Sequence, residues 1–100
     1  MKEDIYFKKL AKLRIEADYC RAQSKKLSKK SALEESAKFQ VKAQNIEMKI
    51  QRACDKLAVH SSQLKDKECY YKAMGKLEKA EKVAGRIKAI KRKIKEYQKN

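Results

Sequence analysis

Proline is missing from this chain and glycine is nearly so, with only Gly75 and Gly85 among 100 residues. A β-protein needs turn residues at short intervals, and a chain this poor in them cannot supply the turns. Tryptophan is also missing, and the aromatics amount to two Phe and five Tyr. The longest apolar runs are three residues, such as Ile5-Tyr6-Phe7 and Leu57-Ala58-Val59. They fall far short of the roughly 20 that a spanning helix needs, and no signal peptide is recognisable. Three cysteines without a close pair do not make a disulfide framework. The expected location is therefore intracellular, cytoplasmic or nuclear, with no membrane partner.

What is present favours helix. Lys, Ala, Glu, Leu and Gln dominate, all good helix formers, together with Ile. The first segment places Tyr6, Leu10, Leu13, Ala17, Cys20, Ser24 and Leu27 at alternating steps of four and three, an unbroken heptad seam. The polar stretch Ser28-Lys29-Lys30-Ser31 interrupts it. Ser31-Ala32-Leu33-Glu34 has the form of a capping box, which predicts a helix start near residue 32. A second seam follows: Ser36, Phe39, Ala43, Ile46, Ile50, Ala53, Leu57, His60 and Leu64. The stretch from His60 to Asp66 is polar, and Asp66 is suited to cap a third helix. The third seam reads Cys69, Ala73, Ala80, Val83, Ile87, Ile90 and Ile94, widened by Leu77, Ala84 and Tyr97. Lys76 falls on its apolar side beside Gly75, which predicts a kink or a lysine stem lying along the core with its head in water; the alternative is that Gly75 ends one helix and a short fourth element begins.

The fold class expected is all-α: one domain over residues 1–100, a long antiparallel three-helix bundle or coiled coil, with helices at about 3–28, 32–61 and 66–98. Its seams are rich in Ala and Ser and bury modest area, so added burial in a homodimer is compatible with the pattern. Ala11, Ile15, Tyr19 and Ala22 lie opposite the first seam, and Val41, Met48 and Val59 on the back of the second. Ile15, Tyr19, Val41 and Met48 are accordingly the expected partner or dimer interface.

Catalytic signatures do not emerge. The sequence has no glycine-rich phosphate loop, no nucleophile elbow and no helical HExxH. Cys20, Cys54, Cys69 and His60 are zinc-type ligands, but the expected hairpins hold Cys20 and Cys54 roughly 20 Å apart along the axis. Cys20 and Cys69 fall in apolar stripes, where a thiol packs as a small hydrophobe. No metal, no cofactor and no enzyme activity are expected, and His60 is read as structural.

Charge is the remaining signal. The chain carries 28 basic and 13 acidic residues, a net +15. Such a field draws in polyanions, although lysine-rich, proline-free composition also arises from A/T-rich coding. Lysine outnumbers arginine 23 to 5, which favours neutralising a backbone over reading bases. Residues 1–30 are net +6, residues 31–60 net +1 and residues 61–100 net +8. Coding bias alone would spread lysine more evenly. Between Lys82 and Lys95 stand seven bases and no acid. The expected function is non-enzymatic binding of nucleic-acid phosphates, DNA or RNA, through Lys8, Lys12, Arg86, Lys88, Arg92, Lys93 and Lys95. The alternative is a protein-interaction module, an adaptor or small inhibitor that docks on an acidic or nucleic-acid-handling protein.

Overall fold

The computed structural model describes residues 2–98. It consists of three helices, α1 Lys2–Lys29, α2 Leu33–Ala73 and α3 Leu77–Gln98, with no strand among the described residues. Consecutive helices pack on each other, α1 on α2 and α2 on α3. Their contacts group into two compact units. One contains residues 7–53; the other joins residues 2–6 to residues 54–98.

The first turn is set by its own backbone. The Ala32 amide donates to the Leu27 carbonyl (2.9 Å), and the Ser31 amide to the Ser28 carbonyl (3.1 Å). This is the Schellman pairing, which satisfies carbonyls left open at a helix end. It demands a left-handed residue between the two helices, and Ser31 takes it with φ 64°. Ala32, whose carbonyl accepts from the Ser36 amide (3.0 Å), is the N-cap of α2. The expected helix start is thus nearly right, but its mechanism is corrected. Ser31 closes α1 rather than capping α2, because a three-residue connection spends it on the turn.

The second turn repeats the first, 44 positions on. The Lys76 amide donates to the Tyr71 carbonyl (2.8 Å), the Gly75 amide to the Lys72 carbonyl (3.1 Å), and Gly75 has φ 75°. The Ala80 amide then reaches the Lys76 carbonyl (3.1 Å) and opens α3. The buried positions follow the same shift. Leu10, Leu13, Ala17, Cys20, Ser24, Ser36 and Ala43 are buried, and so are Cys54, Leu57, Ser61, Leu64, Glu68, Ala80 and Ile87. The chain uses one hairpin layout twice, and α2 supplies a helix to each.

Two boundaries from the sequence therefore change. The predicted break at residues 61–66, with helix 2 ending near 61 and helix 3 starting near 66, is not there; α2 continues to Ala73. That stretch contains no residue that breaks the hydrogen-bond ladder. Ser62 returns its hydroxyl to the Ala58 carbonyl four residues back (3.3 Å), a bond that lets serine sit inside a helix. Ser61 and Leu64 keep the apolar stripe buried. Gly75 is neither a kink nor a plain continuation: as in the alternative reading it ends a helix, its left-handed backbone closing α2, but the element that follows is the 22-residue α3 rather than a short fourth one.

Residues 7–53 pack around Leu10, Leu13, Ala17, Cys20, Ala43, Ile50 and Ala53. Near the turn, Ser24 and Ser36 replace the apolar pair. Their hydroxyl oxygens lie 3.0 Å apart, the Ser36 hydroxyl donates to the Ser24 carbonyl (2.8 Å), and Ser24 Oγ stands 3.1 Å from the Ser36 carbonyl. Small side chains that satisfy one another let two backbones approach without orphaned polar groups. In the other unit the core is Cys54, Leu57, Leu64, Ala80, Val83, Ile87 and Ile90. Cys69 and Ala73, expected in the third seam, are exposed, while Cys54 is fully buried. The buried stripe beyond residue 53 runs through Cys54, Leu57, Ser61, Leu64 and Glu68; Leu57 and Leu64 keep their expected places, while Cys54, Ser61 and Glu68 each stand one position from the expected Ala53, His60 and Cys69, on a stretch that packs with α3.

Candidate functional site

Glu3 occupies the seam register one heptad before Leu10 and is 3% exposed. A buried carboxylate needs a partner, and it has one from the far end of the chain. Arg86 Nε lies 3.0 and 3.1 Å from the two Glu3 oxygens, and Nη2 lies 2.8 Å from Oε1. The planar fork matches the carboxylate, which lysine would not do. His60 Nε2 lies 3.4 Å from Oε2 but is not aligned for a hydrogen bond, so both ring nitrogens are buried without a partner. Burial raises the Glu3 pKa. The Arg86 bonds and charge, the residue's own amide and nearby His60 outweigh that and hold it below the usual glutamate value.

This cluster changes the reading of two sequence candidates. Arg86, expected on the phosphate-binding surface, is only a quarter exposed and is committed to Glu3. His60 lies in the interior of α2 rather than near a helix end. The sequence reading missed Glu3, although its place in the heptad of Tyr6 and Leu10 was a usable signal.

A second acid follows the same logic. Glu68 is buried at a stripe position, with Lys65 Nζ 2.9 Å from Oε1 and Lys72 Nζ 3.9 Å from Oε2. The Lys65 bond first, then the charges of Lys65, Lys72 and Lys91, lower its pKa against the raising effect of burial. In the other unit Arg21 pairs with Glu47 across the hairpin. The Arg86–Glu3 and Arg21–Glu47 pairs join helices to one another, whereas those of Glu68 lie within α2.

The other predicted cations stand differently. Lys8, Lys12, Lys88, Arg92 and Lys95 are exposed, and none of them makes an ion pair among the described residues. Lys93 is half-buried and lies 3.7 Å from Glu96. With the observed boundaries, α1 has nine bases and four acids, α2 eight and six, and α3 eight and three. The helices thus carry net +5, +2 and +5, over 28, 41 and 22 residues. The uneven charge survives the redrawn boundary.

Of the predicted interface residues, Ile15 is 70% exposed, Tyr19 59%, Met48 55% and Val41 54%. The second face of α1 is thus exposed at Ile15 and Tyr19. Among the described residues, no three His, Cys, Asp or Glu side chains converge as metal ligands would, and no helix is long and apolar enough to cross a membrane. The chain matches no family model, no curated protein and no solved structure. It stands as an all-α protein of helical hairpins with two cation-rich helices.

Proposed function

We propose that this is a non-enzymatic protein that binds nucleic-acid phosphates without base specificity through α1 and α3. The carrying observation is the charge of the helices: α3 has the highest density of cations, and Lys88, Arg92 and Lys95 project from it unpaired. Lys8 and Lys12 add to the attracting field from α1. Arg86 is left out of the contact set because Glu3 holds it. The shortage of arginine favours contact with backbone charge over contact with base edges. The alternating seam spacing supports a coiled-coil style of packing within each hairpin. In a homodimer, Val41 and Met48 on the outer side of α2 would become buried.

The test is a salt titration. A labelled mixed-sequence duplex and a single-stranded RNA are each bound to the protein and followed by anisotropy between 50 and 200 mM salt. Contact with six to ten phosphates weakens binding by roughly 10³–10⁵-fold over that range. Substituting Lys88, Arg92 and Lys95 together by Gln reduces the duplex slope by about 2.7, at ~0.9 per lost contact. A flat response, or a slope unchanged by the triple substitution, refutes the reading. Exposed Ile15 and Tyr19 favour a second reading, contact with a protein partner.

A further inference from the structure

One face of α1 combines two features that the sequence reading kept apart. Lys8, Lys12, Ile15, Tyr19, Ala22, Lys26 and Lys29 recur at steps of 4, 3, 4, 3, 4 and 3. At 100° per residue this row lies roughly opposite the buried seam of Leu10, Leu13, Ala17, Cys20 and Ser24. All seven residues are exposed, and its four lysines make no ion pair among the described residues. The row is about 32 Å long at 1.5 Å per residue. It has two lysines at each end, an apolar middle and no acid. Asp4 stands one turn before Lys8 on the same side, and Glu16 and Asp18 lie on the flanks, about 70–90° round the helix.

We infer that this row is a docking surface for an amphipathic helix of a partner protein, apolar at its centre and acidic at both ends. The heptad spacing is the one by which α1 already packs on α2, so a further helix can seat its apolar positions against Ile15, Tyr19 and Ala22. Carboxylates at its two ends then meet Lys8 and Lys12 on one side and Lys26 and Lys29 on the other. Charge complementarity selects this occupant over a second copy of the row. Laid parallel on itself the row sets Lys8 on Lys8, and laid antiparallel it sets Lys8 on Lys29 and Lys12 on Lys26. Both arrangements repel. The outer row of α2 carries no such choice, because Val41 and Met48 share it with neutral Asn45 and with Arg52 and Asp55, which are of opposite sign. The inference does not depend on phosphate binding by α3.

The probe is a labelled helical peptide of 24 residues, with Leu at its central a and d positions and Glu around both ends. A control peptide has Lys in place of each Glu. The full-length protein is titrated against both, with circular dichroism confirming that each variant keeps its helicity. Ile15 and Tyr19 are exposed, so replacing them leaves the core intact. The Glu peptide binds, and Ile15→Ser with Tyr19→Ser weakens it at least tenfold. Lys12→Glu with Lys26→Glu abolishes that binding and gains binding of the Lys peptide. Lys88→Gln with Arg92→Gln and Lys95→Gln changes the affinity less than threefold. The inference is overturned if the wild-type protein does not bind the Glu peptide, binds both peptides alike, or loses the Glu peptide equally through the α3 substitutions. It also fails if sedimentation shows a dimer of the chain that Ile15→Ser with Tyr19→Ser dissolves. An oligothymidine that displaces the peptide and is itself weakened by the same two substitutions would reassign the row to nucleic acid.

Discussion

Arg86 and Glu3 stand 83 positions apart and meet through a two-pronged ion pair, with Nη2 to Oε1 at 2.8 Å. Truncating either partner breaks it, but the two truncations differ. Arg86→Leu strands a carboxylate that is 3% exposed, and it should cost about 3 kcal/mol, the low end for a buried pair because Arg86 is itself a quarter exposed. Glu3→Leu with Arg86→Leu removes both charges and should recover much of that loss. Urea denaturation reads both as shifts in midpoint at constant slope. Equal stability of the single and double variants would show that the stranded Glu3 carboxylate carries no burial penalty.

The same pair sets the response to acid. The Glu3 pKa in the folded protein lies below the ordinary value of 4.5, so the folded state favours the ionised form. That contribution is fully present above the unfolded pKa and is lost as pH falls through the folded one. Glu68 has the same sign, through its bond with Lys65. The protein should therefore keep its stability down to about pH 5 and lose it progressively below 4.5. Glu3→Gln should flatten that acid limb, as measured by urea midpoints from pH 3 to 7. An acid limb unchanged in the variant would separate the pair from acid unfolding.

The twin turns predict opposite effects of one methyl-sized change. Ser31 bears a side chain at φ 64°, where an L residue pays roughly 1–2 kcal/mol. Ser31→Gly relieves that strain but loosens the unfolded chain, for a net gain of about 0.5 kcal/mol. Gly75→Ala introduces the strain and should destabilise by about 1 kcal/mol, although open space surrounds the added Cβ. Thermal midpoints moving in opposite directions check the pair together.

Cysteine exposure gives a kinetic test. Cys54 is fully buried, Cys20 is 7% exposed, and Cys69 is on the surface. A thiol reagent should label one cysteine rapidly, identified as Cys69 by mass mapping. The other two should follow only at the rate of local or global opening. Fast labelling of Cys54 would contradict the packing of residues 54–98.

Much of the helical plan was legible before any coordinates. On α1 the seam from Leu10 to Ser24 is buried at every predicted position, because a heptad written in Leu, Ala and Cys admits only one inward face. The error lay in α2. A polar run at residues 61–66 reads like a loop, yet Ser61 and Leu64 hold the stripe, and helix length depends on the backbone ladder rather than on local polarity. The true stop, Gly75, was visible as a residue. Its left-handed backbone was not, because glycine permits that conformation without requiring it.

Local periodicity and composition determined that this chain is helical, where α1 buries its face, and that cations crowd its first and last helices, since these depend only on neighbours a few residues apart. Tertiary structure alone decided that Arg86 turns inward to Glu3 while Lys88 and Arg92 remain outside, that Cys54 rather than Cys69 is enclosed, and that the face bearing Ile15 and Tyr19 is left open. Each of those outcomes turns on which side chain from a distant part of the chain arrives to remove water from a group, and sequence spacing carries no information about that arrival.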